Sequence, residues 1–230
     1  SVSLIFSDVP GNDLGFVASG PTVKDKTSVK EAKLILQKYE IWEDCGPSGC
    51  GLVETPKDPK YFENVHNVLA VSNMQALSAM HDKAIELGYN AKIVSDRFQG
   101  EAREVGQQIA EELSRAPHKS VLIYGGEPTV TLDNKKGRGG RNAELALSAL
   151  RFVGDNEAIV SVASDGRDNG DYAGAIADGY GRHQASEFGL DVVKYLANHD
   201  SITFYEKMGD YLVTGDTGSN VSDLVVAIKS

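Results

Sequence analysis

The chain has 230 residues, 41% of them hydrophobic and 24% charged, with 23 Lys and Arg against 33 Asp and Glu. That apolar content supports a folded core and excludes disordered, collagen-like and low-complexity classes. A net charge of −10 argues against nucleic acid and membranes as partners, although a local basic site can still hold an anion.

Ser1-Val2-Ser3-Leu4-Ile5-Phe6 opens without methionine, and its β-favoured pattern predicts a buried strand over 2–6. A chain cut from a longer protein is expected to open in this way. No charged-then-apolar leader is seen, and no apolar run nears the roughly 18–20 residues of a membrane span. A cytoplasmic protein is therefore expected. Residues 7–21 are dense in Gly, Asp and Pro and read as a loop. Ser28-Val29-Lys30-Glu31 has the form of a capping box and predicts a helix over 31–39. Residues 41–61 carry Gly46, Pro47, Gly49, Gly51, Pro56 and Pro59 and read as a surface excursion. The C-x4-C spacing of Cys45 and Cys50 there matches no zinc or redox pattern, so they read as ordinary loop cysteines.

From Asn64 the pattern becomes regular. Strands over 65–71 and 91–94 alternate with helices over 73–87 and 100–113, the signature of parallel α/β packing. Ser114–Lys119 is a polar linker with a proline, and the expected domain boundary divides residues 1–117 from 118–230. Beyond it, strands are predicted over 121–124, 129–132 and 158–164, with a helix over 142–153. Residues 173–195 read as mostly helical, with breaks at Gly179, Gly181 and Gly189. Strands over 211–214 and 223–228 close the chain. The expected fold class is α/β: two α/β modules with mostly parallel or mixed sheets and helices on their faces.

Chemistry is expected first in Asn134-Lys135-Lys136-Gly137-Arg138-Gly139-Gly140-Arg141-Asn142, where four basic residues fall within seven positions. Gly137, Gly139 and Gly140 permit backbone conformations that turn successive N–H groups toward one point. The positive end of the following helix favours an anion at the same place. Arg138 and Arg141 can add forked contacts to phosphate or carboxylate oxygens. The competing reading is a solvated hairpin tip.

Other loops follow predicted strands, where ligands of α/β sheets sit. In Ser7–Asp13, Asp8 or Asp13 could hold Mg²⁺ or orient a substrate hydroxyl, or simply form a turn. Ser164–Asp171 gathers Asp165, Asp168 and Asp171 without the order of a calcium loop, leaving metal or sugar-hydroxyl binding and an Asx-rich turn as alternatives. Gly125-Gly126-Glu127 and Thr214–Asn220 end two further strands. His66, His81, His118, His183 and His199 are scattered, which disfavours zinc. No P-loop, G-x-S-x-G elbow or G-x-G-x-x-G fingerprint is present.

At these motifs the chain resembles the class II glycerate kinases, the family with a MOFRL-type C-terminal domain. The matching stretches are Ser7–Gly11, Ala18–Thr22, Glu54–Pro56, Ser72-Asn73, Gly100–Ala102, Gly125–Glu127, Gly137–Glu144, Ser164–Gly166 and Thr214–Val221, in family order. Gly137-Arg138-Gly139-Gly140-Arg141-Asn142 is the most specific. Asn169 stands where the family has glycine, Asp216 where it has proline and Pro128 where it has threonine. The resemblance implies that residues 1–117 are the remainder of an N-terminal Rossmann-like domain and 118–230 the MOFRL-type domain. It further implies ATP- and Mg²⁺-dependent phosphorylation of D-glycerate, with 2-phosphoglycerate as product. Asp8, Arg141 and Arg138 are the expected catalytic residues. Gly137, Gly139, Gly140, Asn142, Glu127 and Asn73 are expected to bind substrate or phosphate, and Asp8 and Asp165 a metal. The family's N-terminal part, with its lysine and glycine–serine-rich loop, has no counterpart here, so the active site is expected to need it as a partner. This chain alone is expected to be inactive and to associate with itself or with that part. The alternatives are a nicotinamide-dependent hydroxypyruvate reductase and a non-catalytic binding fragment.

Overall fold

The computed structural model describes residues 1–133 and 137–230, with the backbone alone over 46–49; Asn134, Lys135 and Lys136 of the basic loop lie outside the described residues. The chain forms two packing units, Ser1–Ile5 with Asp13–Ala70, and Phe6–Asn12 with Val71–Ser230. This division differs from the expected one at 117/118. The linker lies inside the second unit because the strands and helices on its two sides pair and pack with one another.

In the first unit, β1 (Val2–Phe6) pairs with β2 (His66–Val71) in a two-stranded sheet. Val2 and Leu4 are each 66% exposed, so the strand forms as expected but is not buried. Two strands alone cannot enclose an apolar face. α1 (Val29–Lys38) starts at the predicted cap: the Ser28 hydroxyl accepts from the Glu31 amide at 3.3 Å and donates to its carboxylate at 2.7 Å. Tight turns over Trp42–Gly51 and Pro59–Tyr61 make up the excursion. Within it Cys45 and Cys50 are joined as a disulfide, with Cα atoms 4.6 Å apart, and are not ordinary loop thiols. No described residue of this unit is buried.

The second unit holds a six-stranded sheet. In chain order its elements are α2 (Asn73–Glu86), β3 (Asn90–Phe98), α3 (Ala102–Arg115), β4 (Ser120–Gly126), α4 (Arg141–Ala149), β5 (Glu157–Ala163), β6 (Gly174–Asp178), α5 (Gly179–Glu187), α6 (Val192–Ala197), α7 (Ser201–Met208), β7 (Tyr211–Leu212) and β8 (Asp223–Lys229). The strand order is β3-β4-β8-β5-β6-β7. β3 and β4 are parallel and every other neighbour is antiparallel, so the sheet is mixed.

Two segments depart from the sequence reading. Residues 129–132 make only an isolated bridge between Thr129 and Glu101. The Glu101 carboxylate instead accepts from the Thr131 amide at 3.1 Å and its hydroxyl at 2.6 Å, taking the place of a strand partner. Residues 174–178 form a strand where helix was expected. Alanine favours helix, but pairing to β5 and burial of Ala175 and Ala177 against α4 outweigh that preference. Asp178 then caps α5, accepting from the Gly181 amide at 2.7 Å.

One sheet face carries the main core, where α3, α4 and α7 bring Leu113, Leu145, Leu147, Leu150, Phe204 and Tyr205 onto Ile159 and Val225. On the other, α2 sets Leu77 over Val121 and Ile123. Gly106 of α3 lies so close to the Leu145 carbonyl of α4 that a Cβ would collide with it, so these helices meet at backbone contact. No helix among the described residues is long and apolar enough to cross a membrane.

Candidate active site

β4 and β5 end beside the start of β8. Because β8 runs antiparallel to both, its first residue, Asp223, stands opposite Gly126 on one side and Ala163 on the other. Two strand ends and one strand start therefore bring Glu127, Ser164, Asp165 and Asp223 to one edge. The Phe6–Asn12 segment joins them: the Ser222 hydroxyl donates to the Asp8 carbonyl, and the Asn220 amide to the Asp8 carboxylate at 3.2 Å. Together these residues and Arg141 line a cavity of about 50 Å³.

Arg141 is held from two sides. Nε and Nη2 donate to the Asp223 carboxylate at 3.0 and 3.2 Å, and Nη1 to Glu127 at 2.7 Å. Burial pushes the Asp223 carboxyl up to about 6, against the pull of Arg141. Burial also opposes the charge on Arg141, but Asp223 and Glu127 more than offset it and raise the guanidinium. A wider groove of about 710 Å³ shares Glu127 and Arg141 with this cavity and continues along Pro128, Val130, Gly137 and His199.

The basic loop is built differently from the sequence reading. The positive end of α4 holds an anion, but that anion is the protein's own. Asp168, 4% exposed, accepts from the Asn142 and Ala143 amides at 3.0 and 2.8 Å and from the Asn142 side chain at 3.3 Å. Burial raises the Asp168 carboxyl, opposed by those hydrogen bonds and by Arg141. Asn142 is fully buried and also accepts from the Ser161 hydroxyl at 2.6 Å, so its side chain serves the cap and the sheet, not a phosphate. Gly137, Gly139 and Gly140 sit in crowded places: a Cβ at Gly137 would strike the Asn198 and His199 carbonyls, one at Gly139 the Ser201 hydroxyl, and one at Gly140 Asp168. Arg138 turns away from the small cavity and forks onto Glu206 at 2.9 and 2.8 Å. Asn73 is also absent from it; its side chain donates to the Asp96 carbonyl at 2.5 Å, tying α2 to β3.

Four residues gain importance that sequence reasoning did not give them. Asp223 reads in the sequence as the first residue of a strand, and its one signal is a charge set directly before the apolar run Leu224–Ile228. His199, read only as one of the scattered histidines, is 5% exposed and adopts left-handed backbone at φ 52°. Its Nδ1 lies 3.1 Å from both Glu144 Oε2 and Arg103 Nη2. Glu144, itself 2% exposed, also accepts from Arg103 Nε and Nη2 at 3.2 and 2.7 Å. No local pattern marks Arg103, Glu144 and His199, which come from α3, α4 and the turn after α6.

The donor chemistry of the small cavity fits Mg²⁺ better than a free anion. Asp8, Glu127, Asp165 and Asp223 face one guanidinium, and Glu127 and Asp223 are committed to Arg141. Asp8 and Asp165 would be the one or two carboxylates that Mg²⁺ takes alongside water and substrate phosphates. Among the described residues no group of three or more His, Cys, Asp or Glu side chains is arranged to hold a metal alone.

Comparison with known proteins agrees with this architecture. The MOFRL family model matches residues 120–223, and the model described as a domain of unknown function, DUF4147, matches residues 1–50. A Pyrococcus horikoshii protein named glycerate 2-kinase is 42% identical over 99% of this chain and 55% of its own length. A Thermotoga maritima D-glycerate 2-kinase is 36% identical over 99% of this chain and 56% of its own, and an Agrobacterium vitis protein named putative hydroxypyruvate reductase is 37% identical over 97% and 53%. The crystal structure of a Thermotoga maritima glycerate kinase superposes with a TM-score of 0.88 at 36% identity, over all of this chain and 57% of that one. The chain thus spans rather more than half the length of these relatives. Sequence motifs, family models and fold agree: the chain is similar over 99% of its length to proteins named glycerate 2-kinase, and its residues 120–223 match the MOFRL family model.

Proposed function

We propose that this chain forms part of a kinase that transfers the terminal phosphoryl group of ATP, with Mg²⁺, to the 2-hydroxyl of D-glycerate. The observation that carries the reading is the position of Arg141. It lies at the sheet edge in a cavity shared with Asp8 and Asp165, and relatives named glycerate 2-kinase span the whole chain. Three of its five N–H donors are spent on Asp223 and Glu127, which leaves two to meet an anionic oxygen of the substrate. Asp223 and Glu127 hold the fork in place, so little reorganisation is needed as charge develops. Asp8 and Asp165 would hold the metal or orient the hydroxyl. Mg²⁺ carried with the nucleotide phosphates would neutralise charge on the transferred group. Residues 1–117 and 118–230 remain, in this reading, the two family domains expected from the sequence, and the rest of the longer protein completes the nucleotide site. Small charged reactants suit the cytoplasmic setting expected from the sequence.

The test is to incubate the full-length protein with D-glycerate, ATP and Mg²⁺ and to identify the product by ³¹P NMR. 2-Phosphoglycerate is the expected product. Oxidation of NAD(P)H with hydroxypyruvate, without phosphoryl transfer, would replace this reading with the reductase.

A further inference from the structure

The loop that ends in Arg141 does not hold its shape alone. The Arg138 backbone makes two hydrogen bonds to the start of α7: its amide donates to the side chain of Asp200, at Oδ1, at 2.9 Å, and its carbonyl accepts from the Ile202 amide at 2.9 Å. Gly137 rests on the backbone of Asn198 and His199 without room for a Cβ, and Gly139 lies against the Ser201 hydroxyl and the His199 carbonyl. Asn169 fixes the other side, donating to the Gly139 carbonyl at 2.9 Å. The turn after α6 is in turn anchored by the His199 imidazole. That ring reaches inward to Glu144 and Arg103, each 3.1 Å from Nδ1, while Nε2 lies 3.4 Å from Asp133. Glu144 belongs to α4, one turn below Arg141, so the ring links the turn to the helix that presents the guanidinium.

We propose that His199 is a positioning residue for Arg141, acting through the contact between its turn and residues 137–140. The functional half of this inference rests on the phosphoryl-transfer reading; the structural half does not. A side chain in left-handed backbone, 5% exposed and bonded to a buried carboxylate, is over-determined by its surroundings, and strain of this kind is retained where surrounding structure holds it. Cutting the imidazole contacts releases the turn, which frees the Arg138 backbone and lets the guanidinium drift from the geometry that transition-state stabilisation needs.

The experiment uses His199→Asn, because asparagine tolerates left-handed backbone and removes the ring without adding strain. In the 230-residue chain, hydrogen exchange at the Arg138 and Ile202 amides should speed up about tenfold or more, while Val225 and Ala227 in the sheet centre stay protected. Arg103→Gln, which cuts the same network from its more exposed end, should give a smaller increase at the same amides and decides the matter where His199→Asn does not fold. Unchanged exchange at Arg138 and Ile202 overturns the proposal, whatever reaction the protein catalyses. In the full-length enzyme, His199→Asn should lower kcat with little change in KM for glycerate, and should cost nothing further in an Arg141→Ala background. Full additivity of the two substitutions would show that His199 acts independently of Arg141 and would overturn the functional half alone.

Discussion

Arg141 meets both oxygens of Asp223, through Nε at 3.0 Å and Nη2 at 3.2 Å, yet the two partners are unequally sheltered, with 39% of the arginine side chain exposed and 1% of the aspartate. The carboxylate therefore bears most of the desolvation, and the arginine is what makes its charge tolerable there.

That inequality sets a pH dependence. Burial raises the Asp223 carboxyl to about 6 in the folded chain, against about 3.9 when unfolded. Between those values the folded state holds a proton that the unfolded state has released, so stability present below about pH 4 is lost as pH rises to about 6. Asp223→Asn should remove that limb, so the difference in unfolding free energy between variant and wild type should change by on the order of 3 kcal/mol across the window. Urea midpoints at pH 4, 5, 6 and 7 measure it; parallel curves would show that Asp223 does not titrate there.

Arg141→Ala should lower kcat/KM of the full-length enzyme by about 10²–10³, the effect of losing one preorganised donor to a developing anion. Arg138→Ala should have a far smaller effect, because it removes only an exposed pair with Glu206, worth about 0–1 kcal/mol. Lys135→Ala is likewise expected to matter less than Arg141→Ala. Equal losses at Arg138 and Arg141 would remove Arg141 from its special place.

Asp8→Asn keeps the size of the side chain and loses the charge a magnesium ion requires. Activity should fall to a small fraction of wild type across a Mg²⁺ titration, while circular dichroism and the melting temperature stay close to wild type. Near-normal kcat would reduce Asp8 to a turn residue bonded to Asn220 and Ser222.

Asp168→Ala orphans two amides at the start of α4 and the Asn142 side chain. The expected cost is about 2 kcal/mol, at the upper end for a lost cap because the site is buried. Asp168→Asn retains one acceptor oxygen and should cost less. Urea unfolding followed at 222 nm separates the two, and an alanine variant as stable as wild type would refute the cap.

Local rules served where the deciding atoms are near in sequence. The Ser28 cap, the apolar run at 121–124 and the end of α2 at Gly88, with φ 84°, all depend on residues a few positions apart. The strand at 174–178 was illegible because what selects it is β5 on one side and α4 above it. The basic loop misled for the same reason. Arg138 and Arg141 have the same local chemistry, and only Glu206, Asp223 and Glu127, all remote in sequence, assign them different tasks. The anion expected at the helix start was real, but it arrives from residue 168 of the same chain.

The central place of β8 ties the assembly of the site to the pairing of one strand with both halves of the sheet. β3 with β4, and β5 with β6, can pair as soon as they exist, but they become one sheet only when Asp223–Lys229 inserts between them. Such non-local closure is slow compared with forming the local pairs. Until it happens Arg141 has no Asp223 to fork onto, and Asp8 has no Ser222 or Asn220. An intermediate with both half-sheets formed would look largely native by secondary structure, while the loops at the sheet edge still lacked their common floor. In refolding, any ligand affinity of this edge should therefore return with the slowest phase and not with the rise of helical signal.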